Sequence, residues 1–255
     1  MQGKVAEDTD WNLTNGHGYI LNRDRGHSAA ARLNLQFYLW KSALNFNIHP
    51  SIKASLPSTA AIAESPHQQW LPPNVRVRHL NILQDIPDDL IGKYDYVHTR
   101  LLVLVVESQD PRPIIRNLGK LLKPGGRLQW DELDTVNVSV QKVDPALPTP
   151  ALDQLRDWTR AGGRHDWTVR LADFVTEEGF IDANMDFVGD GLELARAFND
   201  QHMLTVEEFA EGLAKLGNAE SAAKYFRLVE EAHSESMSGA ALSVPRVVCT
   251  ARKPL

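Results

Sequence analysis

The residues able to do chemistry in this 255-residue chain gather in two short stretches. The first is Tyr94-Asp95-Tyr96-Val97-His98-Thr99-Arg100, a β-rich run preceded by Gly92. It reads as a strand with His98 near its carboxyl end, where an imidazole of ordinary pKa, ~6.5, could take a proton from a hydroxyl. The alternative is a histidine that only lines a pocket wall. The second stretch is Arg127-Leu128-Gln129-Trp130, a strand running straight into Asp131-Glu132-Leu133-Asp134. Asp131 and Glu132 could deprotonate a substrate or hold an amine; the alternative is two exposed carboxylates at a strand end. His165, between Arg164 and Asp166 in an expected loop, is a further candidate for substrate contact. Nine histidines are present, but no two have metal-ligand spacing on an expected helix. With one cysteine, Cys249, there is also no Cys/His cluster, so no metal site is expected.

Composition narrows the setting. The chain is 43% hydrophobic and 24% charged, with a net charge of -6, a pI near 5.8 and a mean hydropathy of -0.31. Its basic residues are scattered, which argues against a grip on nucleic acid or an anionic membrane. A lone cysteine allows no intrachain disulfide and fits a reducing compartment. The first residues, MQGKVAEDTDWNLTNG, lack the basic start and apolar stretch of a signal peptide. The longest wholly apolar run, Leu101 to Val106, is far too short to span a bilayer. The sequons at Asn12 and Asn137 then read as chance matches. A soluble cytoplasmic protein is expected.

The elements that must position these residues follow from periodicity. Asp24 to Ile48 reads as a helix with a broad apolar face that includes Leu33, Phe37, Trp40 and Leu44, stopped by His49-Pro50. Residues 51–73 form an irregular connector containing four prolines. Val75 to Leu80 alternates as a strand, Ile86 to Asp89 turns, and 94–100 is the next strand. A helix is expected over Pro113–Leu122, ended by Lys123-Pro124-Gly125-Gly126, before the Arg127–Trp130 strand. Helices are expected at 151–160, 168–178, 204–216 and 219–235, and strands at 181–188 and 245–252. Strands alternating with helices imply an α/β fold with a mostly parallel sheet. One domain, 1–255, is expected: a helical N-terminal extension over 1–50, the connector over 51–73, and an α/β core over 74–255 with a helical lid near 190–240. The Glu- and Lys-rich 204–235 helices offer a solvated lid face or a homodimer contact.

The order "YDYV" strand, helix, "LKPGG" turn and "GGRLQWDELD" strand resembles class I S-adenosylmethionine-dependent methyltransferases. "GYIL" at 18–21, "RLNLQFYLW" at 32–40, "QWLPPNV" at 69–75 and "VHTRLL" at 97–102 sharpen the likeness toward the fungal secondary-metabolite, UMTA-type branch. The resemblance covers residues near 10–50 and 66–254. It implies a Rossmann-like sheet, S-adenosylmethionine as cofactor, and methylation of oxygen or nitrogen on a small secondary metabolite or modified peptide. Carried over by position, Tyr19, Asn81, Ile82, Thr99, Arg100 and Leu101 would meet the cofactor. His98, Asp131 and Glu132 would be catalytic, and Trp158, His165 and Trp167 would wall the substrate.

One departure is large. The family's first strand leads into a Gly-x-Gly-x-Gly loop, a helix, and a second strand ending in an acid that holds the ribose. Between Ile48 and Trp70 this chain has about twenty residues, none of them glycine, with Glu64 as the lone acid. A β-α-β unit needs roughly 30 residues. The first unit is therefore expected to be missing, through a deletion or a misassigned exon boundary. Either Ala54–Glu64 substitutes as a makeshift strand, or the sheet closes up differently, or a partner is required. Loss of the loop keeps a second function open: a repurposed fold that does not methylate, as a cyclase, isomerase or dehydratase, or an inactive truncated homologue.

Overall fold

The computed structural model describes residues 27–56, 62–63, 78, 80–106 and 109–255, and every statement about structure concerns these. Five strands form the main sheet in the order β1 (Ile62–Ala63), β2 (Tyr94–Arg100), β3 (Leu122–Leu133), β7 (Arg246–Arg252), β5 (Ile181–Val188). β1, β2 and β3 pair in parallel, while β7 is antiparallel to both β3 and β5. The sheet is thus mixed, with β7 the strand that runs against the rest. Two short strands, β4 (Ser139–Lys142) and β6 (Ala240–Ser243), pair antiparallel in a separate ribbon.

The main sheet is covered on both faces, as alternation along its strands requires. On one face Val97, Leu128, Trp130, Val247, Cys249 and Ala251 pack against Ile114, Ile115, Leu118 and Leu121 of α3 (Arg112–Leu121) and Leu171 and Val175 of α5 (Leu171–Glu177). Each fully buried aliphatic side chain there contributes roughly 1.5–3 kcal/mol. On the other face lie α1 (His27–Leu44) and the four-residue α2 (Pro50–Lys53). Leu39, Trp40 and Leu44 of α1 meet Val248 and Phe198. Phe198 belongs to α6 (Leu192–Lys215), which with α7 (Ala219–Met237), α4 (Pro150–Arg160) and the β4–β6 ribbon builds a second apolar cluster.

The expected strands at 94–100 and 181–188 are those found. The helix expected from Asp24 is described from His27, and His49-Pro50 does not simply end it: His49 caps α2. The connector over 51–73 therefore begins as helix, and Ile62–Ala63 within it pairs with Tyr96–Val97 as the makeshift strand. Most of the expected 75–80 strand lies outside the described residues; Leu80 and Asn81 have no strand geometry. The helix expected at 204–216 starts twelve residues earlier, at Leu192. The Lys-Pro-Gly-Gly turn lies inside β3, where the pairing with β2 shifts between Tyr94 and Tyr96. Gly125 has φ +75°, and a Cβ on Gly126 would stand 2.9 Å from the carbonyl oxygen of Lys123 and 3.2 Å from that of Tyr94. Only glycine fits both demands.

Candidate functional site

Tyr96, His98 and Arg100 of β2 share one sheet face with Gln129 and Asp131 of β3, because the register pairs His98 with Gln129 and Arg100 with Asp131. Asp131 Oδ2 lies 2.8 Å from His98 Nε2, and accepts from Arg100 Nε at 3.0 Å and Nη2 at 2.7 Å. Its other oxygen accepts from Gln129 Nε2 at 2.9 Å. Gln129 Oε1 in turn accepts from the Tyr96 hydroxyl at 2.9 Å and from the His49 backbone N–H at 2.8 Å, which ties α2 to the sheet. Burial pushes the Asp131 carboxyl up, but the hydrogen bonds and charges of His98 and Arg100 outweigh it and hold it below the usual carboxylate range. An ionised Asp131 keeps the His98 proton on Nε2 and leaves Nδ1 as the accepting nitrogen. The Arg100 guanidinium lies 4.9 Å from the Trp40 ring centroid, so α1 covers this corner.

Glu132 points to the opposite face. Its Oε1 accepts from Trp130 Nε1 at 3.0 Å and from the Leu102 backbone N–H, while Oε2 is buried without a partner. Burial first of all raises its pKa to about 8. Neither Asp131 nor Glu132 is an exposed carboxylate: both are 0% accessible. The expected pair is in fact two acids in different environments, and only Asp131 meets His98.

The remaining expected residues scatter. Thr99 stands on the Trp130 face, and Leu101, at φ +58°, donates its N–H to Asp131 O at 3.0 Å at the carboxyl end of β2. Asn81 and Ile82 lie in a turn where Asn81 Oδ1 accepts from Leu83 N, and Asn117 of α3 donates to Ile82 O at 2.8 Å. They are held to α3, not to the His98–Asp131 group. Trp167 is core, edge-on to Trp130 at 5.8 Å. Trp158 packs with Phe209 and Tyr225 between α4, α6 and α7. These two tryptophans therefore fill cores and are not brought to the His98 corner. His165 is half-buried, its pKa pushed down to about 4 by burial and then by Arg164. Tyr19 lies outside the described residues. Among the described residues no group of three His, Cys, Asp or Glu side chains could hold a metal, and no helix is long and apolar enough to cross a membrane.

Periodicity missed Gln129, His49 and Asp186. Gln129 sits between the flagged strand residues, and parity with Asp131 on one strand face would have found it. His49 and Asp186 are 137 residues apart, and nothing local joins them.

S-adenosylmethionine is the cofactor that the resemblance implies. In an open α/β sheet it would sit at the carboxyl ends of the parallel strands, cradled by a glycine loop. Among the described residues the glycine loop that would cradle it is not found. No glycine occurs between Gly26 and Gly92, Arg100 is committed to Asp131 and Trp40, and Asp131 already accepts from three side chains.

No family model matches the chain. Among curated proteins, methyltransferase grgD of a Penicillium species is 51% identical over 63 residues, covering 25% of this chain and 22% of that protein. N-methyltransferase tcpN of Claviceps purpurea (strain 20.1) is 26% identical over 157 residues, 56% of this chain and 54% of that protein. The chain thus spans about half the length of one relative and about a fifth of the other. Of solved structures, Haemonchus contortus phosphoethanolamine N-methyltransferase 2 with S-adenosyl-L-methionine is 15% identical, covering 65% of this chain and 34% of that chain at a TM-score of 0.32. The [4+2]-cyclase SpnF is 17% identical, covering 70% and 56% at a TM-score of 0.34. The chain's own mixed sheet, with helices on both faces, is an α/β arrangement.

Proposed function

We propose that this chain is an S-adenosylmethionine-dependent methyltransferase acting on an oxygen or nitrogen of a small secondary metabolite or modified peptide. The observation that carries the reading is the sequence similarity to two fungal methyltransferases, 51% identical over 63 residues in one case. Bound S-adenosylmethionine would supply an activated methyl group. The residues described here would contribute the proton chemistry: His98, oriented by the buried Asp131 carboxylate, accepts at Nδ1 the proton of the acceptor O–H or N–H. The same proposal places the protein in the cytoplasm, without nucleic-acid or membrane partners, as a single domain whose α6–α7 face forms a lid or a homodimer contact.

A second reading, a methyltransferase fold that no longer methylates, is favoured by one observation: no glycine lies anywhere between Gly26 and Gly92. Thermal unfolding with S-adenosylmethionine or its demethylated product separates the two. A ligand at a hundred times its Kd stabilises the folded state by ~2.7 kcal/mol. For a chain of this size that raises Tm by roughly 5–10 °C. An unchanged Tm at millimolar ligand overturns the methyltransferase reading and leaves the second.

A further inference from the structure

A separate group of side chains lies on the same sheet face, toward the amino-terminal end of β3. His49 Nδ1 is 2.7 Å from Ser51 Oγ, and His49 Nε2 is 2.8 Å from Asp186 Oδ2. The tautomer follows from a third contact. The Ser51 backbone N–H also points at His49 Nδ1, at 3.4 Å, and a backbone N–H can only donate. Nδ1 therefore carries the lone pair, the ring proton sits on Nε2 facing the Asp186 carboxylate, and the Ser51 hydroxyl donates to Nδ1. Hydroxyl, imidazole and carboxylate are in series, the order that activates a serine. Asp186 is held in turn by Asn184 Nδ2 at 3.1 Å, and the His49 backbone is anchored to Gln129.

This group has room for a substrate. His49 and Ser51 line a cavity of about 270 Å³, walled further by Ile52, Arg127, Asn184 and Thr250. Its Asp182 is paired with Arg252 at 2.8 Å, which leaves Arg127 as the cation of the lining. Ser51 is exposed, whereas the His49 side chain is only 15% accessible. The nucleophile thus faces the cavity and its base is held in place behind it.

We infer that Ser51, His49 and Asp186 form an acyl-transfer site that cleaves small esters, independently of the His98–Asp131 corner. Ser51 Oγ bonds to the acyl carbon as its proton passes to His49 Nδ1, and Asp186 balances the imidazolium. The acyl–oxygen bond then breaks, and His49 returns the proton to the departing alkoxide. Water repeats the two steps on the acyl-serine, releasing a carboxylic acid and restoring the serine. No oxidant, metal or cofactor is needed.

The test uses the full chain with a fluorophosphonate probe and with p-nitrophenyl acetate. Peptide mass spectrometry is expected to place the phosphonyl adduct on Ser51. Ser51→Ala, at an exposed position, is expected to keep the wild-type Tm while losing the adduct and all ester turnover above buffer. Asp186→Asn keeps the nucleophile but loses the orienting charge, and is expected to lower turnover at least ~10-fold. A wild-type chain that takes no probe, an adduct on another residue, or a folded Ser51→Ala variant that turns over ester at the wild-type rate overturns the inference. None of these outcomes bears on methyl transfer.

Discussion

Glu132→Gln should remove a pH-dependent weakness from the core. In the folded chain the Glu132 carboxyl is fully buried, with Oε1 accepting from Trp130 and Leu102 and Oε2 facing no donor, and its pKa rises from 4.5 to about 8. The unfolded chain gives up this proton near 4.5, whereas the folded chain keeps it until about pH 8. Between those values the folded state binds more protons, so its stability falls as pH rises and the loss is complete above pH 8. Each pH unit is worth about 1.4 kcal/mol, so the weakness at pH 7 is roughly 3 kcal/mol. A glutamine imitates the protonated acid: its carbonyl takes the two donors, and its amide stands where Oε2 already lacks a partner. Urea unfolding of both chains from pH 5 to pH 8.5 reads the effect. The two should agree within about 1 kcal/mol at pH 5 and diverge steadily, with Glu132→Gln ahead at pH 7 by roughly 3 kcal/mol. Parallel stability curves, or a variant that is less stable at pH 8, would refute the reasoning.

Two further outcomes are expected. His202, with Nε2 buried and unpartnered, has its pKa pushed down to about 4 by burial and then by the charges of Arg246 and Arg32. Its folded form stays neutral where the unfolded form gains a proton, so stability is lost as pH falls from 6.5 toward 4; His202→Gln should flatten that acid limb by about 1–3 kcal/mol in the same urea series. Arg246 is wholly buried, ion-paired with Asp190 and stacked 3.8 Å from the Phe198 ring centroid. Arg246→Met strands the Asp190 carboxylate with Ser243 as its remaining side-chain donor, at a cost of ~3–5 kcal/mol. The double variant with Asp190→Asn should recover more than half of that; an equally unstable double variant would show that the stacking, not the charge, matters.

The elements that could be read from the sequence were those whose signals are local. Tyr94–Arg100 and Ile181–Val188 are β-rich runs next to Gly92 and Gly179, and their ends needed no tertiary information. The first three turns of α6 were not legible because their buried side includes Asn199 and Gln201, which break the apolar period. Glu208 is buried because it meets Arg32 of α1 at 2.7 Å, a pair 176 residues apart. The β4–β6 ribbon joins segments about a hundred residues apart, four residues each, too short for alternation to mark them. The makeshift strand is shorter still: two residues hold it, and only the exposed edge of β2 gives it a place.

The site divides along the same line. His98 and Asp131 were legible together because each ends a recognisable strand, and parallel neighbours in register bring such ends side by side. Glu132 was grouped with Asp131 because they are adjacent in sequence, yet adjacent residues on a strand point to opposite faces. That parity is enough to give the two acids opposite protonation. On the α1 face Asp131 finds His98, Arg100 and Gln129, and its charge is held in place; on the α3–α5 face Glu132 finds two neutral donors and apolar walls, and its charge is suppressed. The carboxylate charge that persists at neutral pH, and so can orient His98 as a base, is the one on the α1 face. Exchanging the pair, Asp131→Glu with Glu132→Asp, leaves composition and net charge untouched but moves each carboxylate by a methylene relative to its partners. The Asp131 face should lose the 2.8 Å contact to His98, a result that the ring nitrogen chemical shifts of His98 would read as a lost hydrogen bond at Nε2.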